Sequence, residues 1–206
     1  TESELERDLA ARLPVERDVI RLAMLGMVDG NGHPYSWSAI FNGYDPEEMK
    51  RLCPYPAIPA YLDKEPKQTL RIRGAVVTHI WTDDPEEAPR VARASLIPHV
   101  VSRPEDVIGQ VDAVIVATDK GHEHVERCRS FVEAGIPVFV DKPLVDNEAD
   151  LLVFADWLKR GAAILSSSCM RYAKEYAPYR MSVHDLGEIR FATITTPKSW
   201  ERYGIH

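Results

Sequence analysis

A lysine and an aspartate stand together at the end of a short apolar run, Val138-Phe139-Val140-Asp141-Lys142-Pro143. A lysine amine can take up or release a proton beside a reacting group, provided that it is held in place. The run reads as a buried strand, and open α/β sheets bind their ligands outside the carboxyl ends of such strands. Pro143 restricts the residue before it to extended backbone, so Lys142 is aimed by the chain itself as well as by packing.

Other strand ends carry matching chemistry. The first apolar run passes into Gly26-Met27-Val28-Asp29-Gly30-Asn31-Gly32-His33-Pro34 and then a helix bearing Trp37, Ile40 and Phe41. A strand, a glycine-rich turn and a helix form the setting in which a dinucleotide pyrophosphate meets backbone N–H groups and the positive end of a helix dipole. A strict G-x-G-x-x-G cannot be laid on these residues, so the turn also fits a structural reading. The second strand ends Trp81-Thr82-Asp83-Asp84. With Asp84 spent as a helix cap, Thr82 and Asp83 are left to face an adenosine ribose, and Asp83 would repel a 2'-phosphate and favour NAD over NADP. The fourth strand ends Ala117-Thr118, where small side chains admit a flat cofactor, and His122 and His124 follow. No matching third ligand accompanies these histidines, which favours capping or cofactor packing over a metal.

The elements that must position these groups alternate from residue 19 onward, short apolar strands with amphipathic helices, which is the pattern of a parallel sheet covered on both faces. Strands are expected at 19–25, 74–81, 97–101, 112–118, 136–140 and 162–167. Helix starts are expected at Asp84-Pro85-Glu86-Glu87 and at Ser102-Arg103-Pro104-Glu105. Val125, Cys128, Phe131 and Val132 form one helix face closed by Gly135; Leu151, Leu152, Phe154, Ala155 and Leu158 form another before Gly161. Residues 44–73 exceed the usual connection of about 4–6 residues and read as an inserted ordered loop, suited to covering a site or meeting a subunit.

The whole chain has 206 residues, 45% of them apolar and 28% charged, which is the composition of a globular protein. Its formal net charge of -7 argues against nucleic acid or an anionic membrane as the main partner. A small molecule fits better. Cys53, Cys128 and Cys169 form no metal or redox motif, so reduced thiols and a cytoplasmic setting are expected. Residues 1–18 lack the apolar core of a signal peptide, and the spacing of Leu5, Leu9 and Leu13 suits a surface helix docked on the domain.

Taken together, these motifs resemble the glucose-fructose oxidoreductase, inositol dehydrogenase and rhizopine-catabolism (Gfo/Idh/MocA) family. The resemblance runs from about residue 19 to the end, and rests on Asp112-Ala113-Val114-Ile115-Val116-Ala117-Thr118, then His124, then Glu133-Ala134-Gly135 and Asp141-Lys142-Pro143-Leu144. Family members typically read D-A-V-x-I-A-T-P, a histidine, E-A-G-K-H-V and E-K-P-L. Here Asp141 replaces the usual glutamate, Asp119-Lys120 replaces a common Pro-Asn, His124 matches after a one-residue insertion, and the glycine turn is longer.

The resemblance implies an N-terminal Rossmann-type doubly wound parallel sheet followed by an α+β domain of mainly antiparallel sheet. Residues 19–170 would be the dinucleotide-binding domain, and 171–206 the beginning of a truncated C-terminal substrate and dimerisation domain, opened by a strand from Gly187 to Ile194. It implies Lys142 near the nicotinamide and the reacting carbinol, and His206, from a D-x-G-x-H type motif matched by Gly204 and His206 but with Arg202 in place of the acid, as proton donor or acceptor. Arg171, at the crossover, would meet either substrate or the second-domain backbone. Cofactor contacts fall to Gly26, Met27, Val28, Gly30, Thr82, Asp83, Ala117, Thr118, His124, Asp141 and Lys142. The expected reaction is hydride transfer between NAD, or NADP, and a hydroxyl of a sugar, cyclitol or related polyol, in a homo-oligomer. Alternatives within the same fold are a non-catalytic nucleotide-binding regulator and a glycoside lyase or hydrolase that recycles NAD.

Overall fold

In the computed structural model, residues 19–193 and 195 are described. Six parallel strands form one sheet: β1 (Ile20–Leu25), β2 (Ala75–Trp81), β3 (His99–Val100), β4 (Ala113–Val116), β5 (Val138–Val140) and β6 (Ile164–Ser166). Their order is β3-β2-β1-β4-β5-β6. The chain therefore reverses its direction of travel between β1 and β4, and a crevice opens at the carboxyl ends of these two strands.

Helices lie between the strands: α1 (His33–Asn42), α2 (Pro46–Leu52), α3 (Ala57–Leu62), α4 (Glu87–Ala94), α5 (His124–Glu133), α6 (Glu148–Lys159) and, after β6, α7 (Ala177–Ser182). The two-residue period of β1 divides the core: Leu22 and Met24 join Tyr35, Ala39, Val77 and Val91 on one face, whereas Ala23 and Leu25 join Val125, Cys128, Phe131 and Phe154 on the other. Burial on both faces explains why the strands read as nearly continuous apolar runs. On the α1 side, β4, β5 and β6 border an open apolar cleft of about 760 Å³, lined in part by Trp37, Phe41, Phe139, Leu165 and Tyr172.

Several local expectations require correction. Residues 44–73 are helical rather than a loop: Asp45 caps α2 by accepting from the N–H groups of Glu47 and Glu48, and Met49, Ile58 and Leu62 are buried in the core shared with α1 and α4. The turn at Pro104–Val107 is a single 3₁₀ turn, ended by extended Ile108 and by Gly109 at φ +81°. On α6 the buried face is Phe154 and Trp157, packed edge to face at 5.1 Å, while Leu151, Leu152 and Leu158 are exposed. The larger aromatic pair fills the space above the sheet and turns the leucines outward. Residues 187–193 form no strand, having no neighbouring strand to pair with among the described residues. Residues 1–18, with Leu5, Leu9 and Leu13, lie outside the described residues.

One buried histidine gives the fold a pH signature. His79 on β2 is buried beside His99, at 4.8 Å between ring centroids, and burial followed by the neighbouring imidazole pushes its pKa down to about 4. The unfolded chain, with a histidine pKa of about 6.5, binds more protons between those values, so stability is fully present above pH 6.5 and falls as pH drops toward 4. The loss is of order 2 kcal/mol. Urea unfolding at pH 7 and pH 5 is expected to show this fall, and His79→Gln to flatten it; equal slopes in both proteins would contradict the assignment.

Candidate functional site

The crevice between β1 and β4 is built first by backbone. Gly26 leaves β1 at φ +85°, in a conformation that favours glycine, and a Cβ there would stand 2.7 Å from Thr118 Cγ2. Gly30 also has positive φ, at +78°, and the Asn31 N–H closes the turn by donating to Val28 O at 3.0 Å. Gly32 then precedes α1 without a side chain to cap its first turn. The His33 N–H is instead taken by Asn31 Oδ1 at 3.0 Å and Pro34 has none, so this helix start offers an anionic ligand its dipole more than its donors. Gly32 also allows the insertion to close against the turn, since a Cβ would meet Ile58 Cδ1 at 2.4 Å and Tyr55 Cδ2 at 2.6 Å. The inserted helices thus form a wall behind the glycine turn.

Asp83 reaches this turn from the end of β2. Its Oδ2 accepts the Met27 N–H at 3.0 Å, and its Oδ1 accepts from Arg127 Nη2 at 2.6 Å. Arg127, on α5, also donates to Glu123 Oε2 at 2.7 Å and 3.0 Å. Burial alone would raise the Glu123 carboxyl, but the hydrogen bond and charge of Arg127 overcome it and hold it below the usual carboxylate range. Asp84 accepts the Glu86 N–H at 2.9 Å in the turn before α4, not at the helix N-cap expected of it, because the helix begins later, at Glu87 with Glu86 at its N-cap. Thr82 differs from expectation: it is buried and its hydroxyl donates to Asp84 O at 2.6 Å, which braces the strand end and leaves no donor for a ribose.

The ends of β4 and β5 are tied together behind the crevice. His124 is fully buried, its Nδ1 2.9 Å from Leu144 O and its Nε2 2.9 Å from Thr118 O and 3.1 Å from Thr118 Oγ1. Both ring nitrogens thus lie within hydrogen-bond reach of protein oxygens, one on each side of the ring. With both nitrogens engaged in protein, His124 is a structural brace, a correction to its expected place among the cofactor contacts. Gly121 permits the same closure, since a Cβ there would lie 2.6 Å from the backbone of Val145 and Asp146.

Asp141, with 1% exposure, is the most connected carboxylate of the site. Its Oδ2 accepts from Asn31 Nδ2 at 3.2 Å and contacts His33 Nδ1 at 2.5 Å, and its Oδ1 accepts the Lys142 N–H at 2.7 Å. Asn31 Nδ2 also donates to Ala117 O at 3.2 Å. The Lys142–Pro143 peptide is cis. Lys142 is half-buried, and its amine has no hydrogen bond or ion pair among the described residues.

Gly26, Met27, Val28, Gly30, Asp83 and Lys142 therefore belong to the strand ends and turns around one crevice, whereas Ala117, Thr118 and Asp141, expected as cofactor contacts, are buried behind it, Thr118 with its hydroxyl against His124. His206, like Arg202, lies outside the described residues. Sequence reasoning missed Asn31, His33 and Arg127. The glycine turn drew attention to its glycines rather than to the amide and imidazole between and after them, and nothing local to α5 marks Arg127 as the partner of Asp83.

The model of the oxidoreductase family with an NAD-binding Rossmann fold, GFO_IDH_MocA, matches residues 55–167. Among curated proteins, inositol 2-dehydrogenase 4 of Saccharopolyspora erythraea is 33% identical over 118 residues, covering 55% of this chain and 35% of the relative. Among solved structures, myo-inositol 2-dehydrogenase of Lactobacillus plantarum aligns with a TM-score of 0.59 at 17% identity, over 83% of this chain and 43% of that one. The scyllo-inositol dehydrogenase of Lactobacillus casei, solved with NAD(H) and scyllo-inositol, aligns with a TM-score of 0.58 at 15% identity, over 81% and 41%. The chain spans about a third of the length of the curated relatives it matches.

Proposed function

Because the chain belongs to the Gfo/Idh/MocA family of oxidoreductases with an NAD-binding Rossmann fold, we propose that it is the cofactor-binding part of a dehydrogenase that oxidises a hydroxyl of a cyclitol, sugar or related polyol. The observation that carries this reading is the half-buried, unengaged Lys142 amine at the end of β5, on the same rim as the Gly26 turn. The turn supports the reading by its place, at the carboxyl ends of β1 and β4, where Gly26 lets it close against Thr118.

The glycine turn at Val28 would face the pyrophosphate, Asp83 the ribose hydroxyls, and the rim at the ends of β4 and β5 the flat ring, while Gly26 and Met27, whose N–H groups donate to Trp81 O and Asp83 Oδ2, and Gly30, engaged by Tyr55, shape the turn. Bound NAD supplies the hydride acceptor. Lys142 takes up the hydroxyl proton as the carbon–hydrogen bond is lost, and the buried carboxylate of Asp141 holds the strand end beneath it. Asp83 brings a carboxylate to the ribose edge with its charge offset by Arg127 at 2.6 Å, so a preference for NAD would rest on hydrogen bonds to the ribose hydroxyls rather than on repulsion of a 2'-phosphate.

The test is formation of reduced nicotinamide by the native full-length protein with NAD and with NADP over a panel of inositols and sugars. NAD reduction with at least one polyol is expected. Binding of NADH without turnover of any panel member would overturn the polyol reading.

A further inference from the structure

The buried carboxylate of Asp141 joins two parts of the site that are remote in sequence, the strand end bearing Lys142 and the start of α1. Through Oδ1 it holds the backbone N–H of Lys142; through Oδ2 it meets His33 Nδ1 and Asn31 Nδ2. A carboxylate with 1% exposure needs such donors, because an unpaired buried charge is costly. His33 is itself held in place by stacking on Trp37, with centroids 4.2 Å apart and planes 14° from parallel. Its backbone N–H donates to Asn31 Oδ1 at 3.0 Å, which fixes Asn31 in turn. The imidazole contributes one engaged nitrogen, Nδ1, and Nε2 has no partner among the described residues.

We propose that His33 is a positioning residue for Lys142: by donating from Nδ1 to Asp141 it fixes the backbone from which the lysine side chain projects, and ties that backbone to the glycine turn. The proposal rests on the reading of Lys142 as the proton-accepting amine. The role requires a donor at the position of Nδ1 and nothing from Nε2. It therefore separates two replacements of similar polarity, since the amide nitrogen of asparagine lies close to the position of Nδ1, whereas that of glutamine lies nearer Nε2.

The experiment uses the full-length protein and its variants His33→Ala, His33→Asn and His33→Gln. With NAD and an inositol turned over by the native enzyme, His33→Ala is expected to lower kcat about 10-fold to 100-fold, the scale of an ångström-sized misplacement of a catalytic group. KM for the inositol and Kd for NADH should stay within about twofold, the signature of a group acting on the chemical step. His33→Asn restores most of kcat and His33→Gln does not. A second reading needs no substrate: under limiting acetic anhydride, with each lysine quantified by mass spectrometry, the rate of Lys142 relative to exposed Lys159 shifts in His33→Ala and returns in His33→Asn.

Native-like kcat in His33→Ala, or an unchanged relative labelling rate of Lys142, overturns the positioning role and leaves the dehydrogenase reading standing. Absence of turnover in the native protein overturns the polyol reading, and the labelling comparison still decides the role of His33. Should His33→Ala fail to fold, the comparison of Asn with Gln decides it.

Discussion

Lys142→Ala is expected to abolish measurable polyol oxidation while leaving NADH binding nearly intact. Loss of a positioned general base costs typically about 10² to 10⁴ in rate. The side chain makes no hydrogen bond or ion pair among the described residues, and the hydrogen bond to Asp141 comes from its backbone N–H, which alanine retains. Thermal stability should therefore stay close to that of the native protein. The measurement pairs steady-state turnover with a fluorescence titration of NADH, so that lost chemistry is distinguished from lost binding. Full turnover in Lys142→Ala would remove the lysine from the mechanism.

Gly26→Val is expected to damage both the fold and the cofactor site. A side chain at φ +85° is strained by about 1–2 kcal/mol, and overpacking adds about 1–3 kcal/mol. The clash at 2.7 Å is with Thr118 Cγ2. Thr118 cannot swing aside at low cost, being fully buried with its hydroxyl against His124. The sum corresponds to a Tm lower by roughly 5–15 °C for a chain of this size. NADH affinity should fall at least about tenfold, since 1.4 kcal/mol of displaced turn suffices for that factor. Gly74→Val is the control, because Gly74 has nearly the same φ, +86°, with nothing within 4 Å of its Cβ position. It should carry the strain alone and leave NADH binding unchanged. Equal effects of the two substitutions would remove the close approach of Gly26 to Thr118 from the argument.

The fold was legible where burial is two-sided. Runs such as Ala113–Val116 and Val138–Val140 are apolar without alternation because one face meets the helix-covered core and the other the core or the apolar cleft, and each lies inside its expected strand. Strand ends were read too long, since the pairing that defines a strand depends on neighbours and His99–Val100 has only β2 beside it. The face of α6 was misread because spacing alone does not rank leucine against an aromatic pair; Phe154 and Trp157 fill the volume and the leucines face outward. The helices of the insertion were hidden by prolines, which are tolerated at Pro46 as the first helical residue and at Pro56, just before Ala57–Leu62.

The candidate site was legible in its backbone parts and at Lys142. Glycines that need positive φ and a lysine placed by a following proline announce themselves locally. The side-chain partners did not, because they come from distant segments: His33 and Asp141 are 108 residues apart, and Asp83 and Arg127 are 44 apart. Thr82 and His124 were assigned outward roles on their types, yet each satisfies its hydrogen bonds within the protein. A polar residue at a strand end faces either ligand or protein, and only packing decides between them.

The most direct test of the central claim, that NAD binds with its reactive ring against the end of β5, is protection of Lys142. The full-length protein is acetylated under limiting reagent with and without saturating NADH, and each lysine is quantified by mass spectrometry. NADH is expected to slow labelling of Lys142 while exposed Lys159 on α6 keeps its rate. An unchanged rate at Lys142, with NADH shown to be bound, would contradict that claim.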